Sequence, residues 1–165
     1  MNEIIEIRPI KPMDNDAIKS IIKNALIEFD SDKPGTAFFD KSLENLYEAY
    51  QNNRAIYFVA LLNGKLIGGC GIDTLENADT NICELQKMYL SPEARGKKIG
   101  KKLLVKCLNY AKEANYKQCY LESFPYMISA INLYLENGFK KLDKPLGNTG
   151  HTACDVHMLL DLNNY

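Results

Sequence analysis

The sequence lacks any excess of one charge: 20 Lys and Arg stand against 21 Asp and Glu, for a formal net charge of -1. No global positive field is available to hold nucleic acid or an anionic membrane surface, although a local basic patch remains open. No apolar run approaches the roughly 20 residues that a membrane-spanning helix needs. Met1 to Ile10 carries Glu3, Glu6 and Arg8, so it contains no secretory h-region. The chain has two histidines, too few for a metal centre built on imidazoles. Five cysteines, Cys70, Cys83, Cys107, Cys119 and Cys154, are odd in number and none is close to another. Most sit in apolar runs, the pattern of reduced, buried thiols. These absences point to a cytoplasmic protein without nucleic-acid, membrane or metal partners. There is no repeat, linker or low-complexity stretch either. With 165 residues, 46% apolar and 25% charged, the chain suits one domain, 1–165, able to bury a real core.

The periodicity changes along the chain. Glu3 to Ile10 alternates as a first strand, and Asp14 is placed to cap a helix carrying Ile18, Ile21, Ile22, Ala25, Leu26 and Phe29. After a loop at residues 30–35, Asp40 is placed to cap a second helix carrying Leu43, Leu46, Tyr47 and Tyr50. Two β-rich runs, 55–62 and 65–72, flank Asn63-Gly64, a hairpin signal. Ile82 to Leu90 reads as a strand stopped by Ser91-Pro92, and Ile99 to Ala111 as an amphipathic helix. Lys117 to Glu122 is a strand, and Met127 to Glu136 a short helix closed by Asn137-Gly138. Phe139 to Leu142 and Ala153 to Leu160 finish as strands. The predicted order is β-α-α-β-β-β-α-β-α-β-β, a mixed α/β sheet with helices on both faces. The strands at 82–90 and 117–122 flank a helix, which makes them parallel neighbours across a right-handed crossover.

The loop at 92–102 is the most informative stretch. Arg95, Lys97, Lys98, Lys101 and Lys102 fall within eight residues, and no acid appears between Glu93 and Glu113. The cations crowd a helix N-terminus, the positive end of its dipole, where acids are the ordinary choice. An anion bound there resolves the conflict: free backbone N–H groups, dipole and lysines converge on one phosphate-bearing ligand. Gly96 and Gly100 allow close backbone approach. The plainer alternative is a solvated basic helix face. A Walker A sequence and a G-x-G-x-x-G fingerprint are both missing, which disfavours ATP and NAD.

The run from Glu84 to Gly100, with Arg95-x-x-Lys98-x-Gly100 at its end, resembles the cofactor motif of the GNAT N-acetyltransferases, Arg/Gln-x-x-Gly-x-Gly/Ala. Lys98 stands where that pattern has its middle glycine. This is tolerable if the position needs only a helical backbone N–H. A second run, Ala130-Ile131-Asn132-Leu133-Tyr134-Leu135-Glu136-Asn137-Gly138-Phe139, resembles the family's A-x-x-L-Y-x-x-x-G-F signature. Many members have asparagine three positions before that alanine, where this chain has Met127.

The resemblance implies an acyl-CoA N-acyltransferase (GNAT-like) fold with a strongly twisted sheet splayed open between the strands at 82–90 and 117–122. Acetyl-CoA would lie in the opening as co-substrate and pass its acetyl group straight to a primary amine. It places Met88, Tyr89, Leu90, Arg95, Gly96, Lys97, Lys98, Ile99, Gly100, Lys101 and Asn132 at the cofactor, with a bulge in the strand and Met88 giving its N–H to the thioester. Glu84, in an apolar-rich strand beside the splay, suits a general base, since burial raises a carboxylate's pKa. A solvated Glu84 paired with Lys87 is the competing reading. Tyr134 suits the general acid that protonates the leaving thiolate, against a core tyrosine. Acceptor contacts are expected from the N-terminal helices and their loop: Asp30 or Asp32, Thr36, Phe38 and Phe39. His151 reads either as lining the same site or as a surface-loop residue. Small-molecule amines or amino acids are the expected acceptors, for a monomer or homodimer. A non-catalytic acyl-CoA sensor on the same fold and an unrelated nucleotide switch are the alternatives.

Overall fold

A computed structural model describes residues 2–165. Its elements are β1 (Ile5–Pro9), α1 (Asn15–Glu28), α2 (Leu46–Ala49), β2 (Ile56–Leu62), β3 (Lys65–Thr74), β4 (Ile82–Leu90), α3 (Ile99–Glu113), β5 (Gln118–Ser123), α4 (Ile128–Glu136), β6 (Lys140–Leu142) and β7 (Val156–Asp161). The strands form one seven-stranded sheet in the order β1-β2-β3-β4-β5-β7-β6. Every neighbouring pair is antiparallel except β4 with β5. The mixed sheet and the order of helices and strands match the expectation.

Helices cover both faces. One core gathers Ile99, Leu103, Leu104, Cys107 and Leu108 of α3 against Cys70, Ile72, Cys83 and Cys119. The other gathers Ile18, Ile22 and Leu26 of α1 against Tyr57, Val59 and Leu61. The odd positions of β2 therefore face α1 and the even ones, Phe58 and Ala60, face α3, as the two-residue period of a strand requires. Four of the five cysteines are buried in this packing, and all five are free thiols. Asn63 and Gly64, at φ of 50° and 82°, turn the β2–β3 hairpin in the left-handed region that Asn-Gly tolerates. Among the described residues no helix is long and apolar enough to cross a membrane.

Two caps differ from expectation. Asp14 does not cap α1 with its side chain. It is buried and accepts both guanidinium nitrogens of Arg8, at 2.7 and 3.0 Å, and the Lys11 N–H at 2.7 Å. A charge-assisted pair that also ties β1 to the start of α1 outcompetes a single cap bond. The second helix is shorter than its apolar spacing implies: a 3-10 turn over Lys41–Asn45 precedes one α-turn, which Asn45 caps through its side chain. Asp40 forms no cap bond, because its carboxylate is used elsewhere.

The feature that positions the site lies at the sheet's centre. β4 and β5 pair only over Ile82↔Gln118, Cys83↔Cys119 and Glu84↔Tyr120. Beyond Glu84 the two strands part, leaving the opening that the sequence resemblance implies. At that point β4 also bulges: Gln86 faces Gly71 and Tyr89 faces Gly69, so Lys87 and Met88 share the single partner Cys70. Lys87 sits at φ 49° in this bulge.

Candidate functional site

Glu84 is the last paired residue of β4 before the splay, and its side chain is 6% exposed. The solvated alternative is therefore wrong, and so is a pair with Lys87, whose Nζ lies 2.8 Å from Asp40 Oδ2. Gln86 Nε2 donates to Glu84 Oε2 at 2.7 Å, and Tyr50 OH donates to Gln86 Oε1 at 2.6 Å. Burial pushes the Glu84 carboxyl up, the Gln86 hydrogen bond and the charges of His151 and Lys87 pull it down, and Glu122 pushes it up again. The balance stands at about 7.

The cleft between the parted strands is lined by Glu84, Gln86, Lys87, Met88 and Tyr89 from β4, by Leu121, Glu122 and Ser123 from β5, and by Tyr134 from α4. His151 and Cys154 close it from the β6–β7 loop. Glu84 and Tyr134, more than 30 residues apart in sequence, are thus brought to one opening. Tyr134 is 6% exposed, packs edge-on against Phe139 at 5.8 Å, and is held above its ordinary pKa by burial.

Two further lining groups, Glu122 and Cys154, and Asp40 beside the cleft complete its polar surroundings. Asp40 is clasped by Lys87 and by His151, whose Nε2 lies 3.0 Å from each carboxylate oxygen. Burial pushes Asp40 up, but the His151 hydrogen bond and the Lys87 charge outweigh it and leave the carboxyl below its usual range. Glu122 meets His157 Nδ1 at 3.1 Å and accepts from the Thr149 hydroxyl. Cys154 is a thiol pushed up to about 12, by burial first and then by the carboxylates of Glu122 and Glu84. It stays protonated at neutral pH, which makes it a poor nucleophile.

At the basic loop, Arg95 pairs with Glu28 at 2.6 Å and Lys97 with Glu3. Lys98, Lys101 and Lys102 have no anionic partner among the described residues. The Arg95 amide donates to Pro92 O at 3.1 Å, and the next amide along the run to find a backbone carbonyl is that of Lys102, which donates to Lys98 O at 3.1 Å. The amides between them, at the N-terminus of α3, have no backbone partner among the described residues, as the first turn of a helix leaves them. Gly96, at φ 73°, has no atom within 4 Å of where a side chain would begin. Ile99 is buried in the core, and Gly100 faces Leu90, Leu133 and Met88.

Lys98 departs from the helical geometry expected of it. It precedes α3 at φ 57° and ψ 21°, the left-handed region, and it is exposed. A glycine would hold that conformation without strain, whereas a lysine loses about 1 kcal/mol. Lys98→Gly is therefore expected to raise stability by about 0.5–1 kcal/mol in urea unfolding. An unchanged or lower midpoint would show that the lysine is not strained.

Some expected site residues lie outside the cleft. Thr36 is buried, and its hydroxyl donates to Ser31 O and Lys33 O, both at 2.8 Å, while accepting from Phe38 N–H; it fixes its own loop. Asp30 is exposed at φ 52° beyond α1, and Asp32 is exposed in the following loop. Phe39 is 61% exposed and stacks edge-on with Phe38. Asn132 is exposed on α4 and forms no part of the cleft lining.

Comparison with known proteins meets this geometry. The acetyltransferase (GNAT) family model matches residues 20–139. The chain is 40% identical over 157 residues to the uncharacterized N-acetyltransferase YjgM of Escherichia coli (strain K12), covering 94% of this chain and 93% of that protein. Among solved structures, a GNAT-family acetyltransferase from Staphylococcus aureus Mu50 superposes with a TM-score of 0.85 at 26% identity, covering 96% of this chain and 99% of the other. The fold is shared with yncA of Salmonella typhimurium, a putative acetyltransferase solved with acetyl-CoA, at a TM-score of 0.76 and 22% identity, covering 98% and 95% of the two chains. A sheet parted beside a bulged strand, a helix N-terminus ringed with lysines and a match over most of the length give one conclusion: the chain belongs to the acetyltransferase (GNAT) family.

Proposed function

We propose that the protein transfers an acetyl group from acetyl-CoA directly to the primary amine of a small molecule. The residues present fit that co-substrate. Lys98, Lys101 and Lys102 and the free amides before α3 suit a pyrophosphate, and the splay beside Met88 and Tyr89 suits an extended arm. Acetyl-CoA supplies an activated thioester; the chain's own groups supply orientation and proton transfer.

The observation that carries the reading is Glu84. A carboxylate held in a closed cleft at a pKa of about 7 is placed to accept the ammonium proton of an incoming amine, either itself or through a water. A module that only bound acyl-CoA would have no use for a carboxylate kept there at the expense of stability. Tyr134, held protonated by burial, donates a hydrogen bond to the departing sulfur. Direct transfer is favoured because the cleft's one thiol, Cys154, stays protonated.

The test is release of free thiol from acetyl-CoA across a panel of amines, with acetylated product identified by mass spectrometry. No release with any amine, from protein that binds coenzyme A by calorimetry, overturns the reading. With the best amine, Tyr134→Phe is expected to lower kcat about a hundredfold while coenzyme A affinity changes little. Full activity in that variant assigns Tyr134 to packing alone.

A further inference from the structure

A second hollow opens on the other side of Glu84. It is a cavity of about 460 Å³ between the β3–β4 turn and the β6–β7 loop. Asn148 N–H donates to Glu76 O at 2.8 Å and ties these two walls together. Glu84 and Gln86 line both this cavity and the cleft, so the two hollows meet at the proposed base. One Glu84 oxygen is taken by Gln86. The other, Oε1, has no hydrogen-bond partner among the described residues and is not sealed off. It is left open at the junction.

The charge of this cavity is one-sided. Glu84, Asp73 and Glu76 line it, and among the described residues no Lys, Arg or His does. The remaining polar groups, among them Thr74, Asn148 and Thr149, are neutral. Asp73 and Glu84 are direct cross-strand partners on β3 and β4. Side chains so paired share a face, and their Cβ atoms lie about 5 Å apart. Among the described residues no basic side chain forms an ion pair with either carboxylate; the Lys87 charge acts on both, but its ammonium is paired with Asp40. Both carboxylates are thus left to meet a cationic ligand.

We propose that this cavity is the acceptor site and that the acceptor is a diamine or longer polyamine, one nitrogen presented to Glu84 and a second, still cationic, held by Asp73 and Glu76. The assignment rests on the reading of Glu84 as the base and adds the substrate class. In the transfer, the ammonium at Glu84 gives one proton to that carboxylate, the neutral nitrogen forms the C–N bond as the thioester C–S bond breaks, and the second proton that this nitrogen sheds goes to the departing thiolate, which leaves as free thiol. The second nitrogen keeps its proton throughout. An acceptor bearing a carboxylate near its amine is repelled by the same lining.

The experiment compares kcat/KM for 1,4-diaminobutane, butylamine and 4-aminobutanoate at pH 8 and low salt, with thiol release as the readout. The expected order is diamine, then monoamine, then amino acid. The diamine should lead butylamine by about tenfold or more, beyond the twofold due to its two equivalent nitrogens and mainly through KM. Asp73→Asn keeps an oxygen to accept the Thr74 N–H, bound at 2.7 Å in the native protein, and so preserves the turn. In that variant the diamine's lead over butylamine should shrink towards the statistical factor. Butylamine used as well as the diamine, or a lead unaltered by Asp73→Asn, overturns this inference and leaves acetyl transfer standing. No release with these three or a wider panel overturns both.

Discussion

Glu84→Gln is expected to lower kcat by about a hundredfold or more above pH 7, and to raise thermal stability at the same pH. The two effects share one cause. Glu84 loses its proton at about 7 in the folded protein, against an ordinary value of 4.5, chiefly because burial penalises the charge. The folded state thus holds that proton where the unfolded state has released it. Stability from this group is full below pH 4.5, falls as the pH rises towards 7 and is flat above it. The penalty reaches the order of 3 kcal/mol. Glutamine carries no charge to desolvate, and its carbonyl can still accept the Gln86 amide. The variant should therefore melt several degrees above the wild type at pH 8 and show little difference at pH 4.5.

The activity follows the opposite sign. Wild-type kcat should climb with pH through about 7, as Glu84 becomes able to take a proton, and the variant should lose that limb. A retained limb assigns it to another group. A variant both slower and less stable at pH 8 would show that Glu84 is a structural carboxylate rather than a stressed catalytic one.

Much of this site could be read from the chain, because its principal parts are local. Asn63-Gly64 marks the hairpin, the apolar spacing of Ile99, Leu103 and Leu104 marks α3, and the lysines before that helix mark the proposed anion site. Glu84 could be singled out because a lone acid in an apolar strand is costly unless used. The remaining site residues are brought in over long stretches of chain. Asp40 looks like a helix cap in its local context, yet it binds His151, 111 positions away. Asp73 becomes notable only once β3–β4 register sets it opposite Glu84. Thr36 has a local pattern that is the same whether a polar loop residue points to a ligand or, as here, into its own turn, while Phe39 and Asp30 lie exposed outside the cleft. Lys98 misled because lysine is a good helix former, and its left-handed backbone is imposed by how the loop joins α3.

The glycines of β3 show how packing far from the chemistry sets its geometry. Gly69→Ala is expected to destabilise the protein by about 3 kcal/mol and to remove most of the activity that survives folding. A methyl at Gly69 would collide with the Tyr57 ring and lie 2.7 Å from the Phe58 carbonyl oxygen, so backbone as well as side chain must move. Tyr57 is fully buried and has no room to retreat. Its hydroxyl donates to Lys87 O at 2.8 Å, the carbonyl inside the β4 bulge, and its ring packs 5.2 Å from Tyr50, which holds Gln86 and through it Glu84. Displacing Tyr57 therefore disturbs both the bulge and the support of Glu84. Gly100→Ala is the contrasting case. Its methyl would meet Leu90, Leu133 and Met88 at 3.5–3.9 Å, ordinary contact distances, within a helix that favours alanine over glycine. Urea unfolding should therefore show Gly69→Ala well below the wild type and Gly100→Ala at or slightly above it. Equal midpoints for the two variants would mean that β3 can yield around Tyr57, and that the bulge does not depend on the close approach of strand and ring at Gly69.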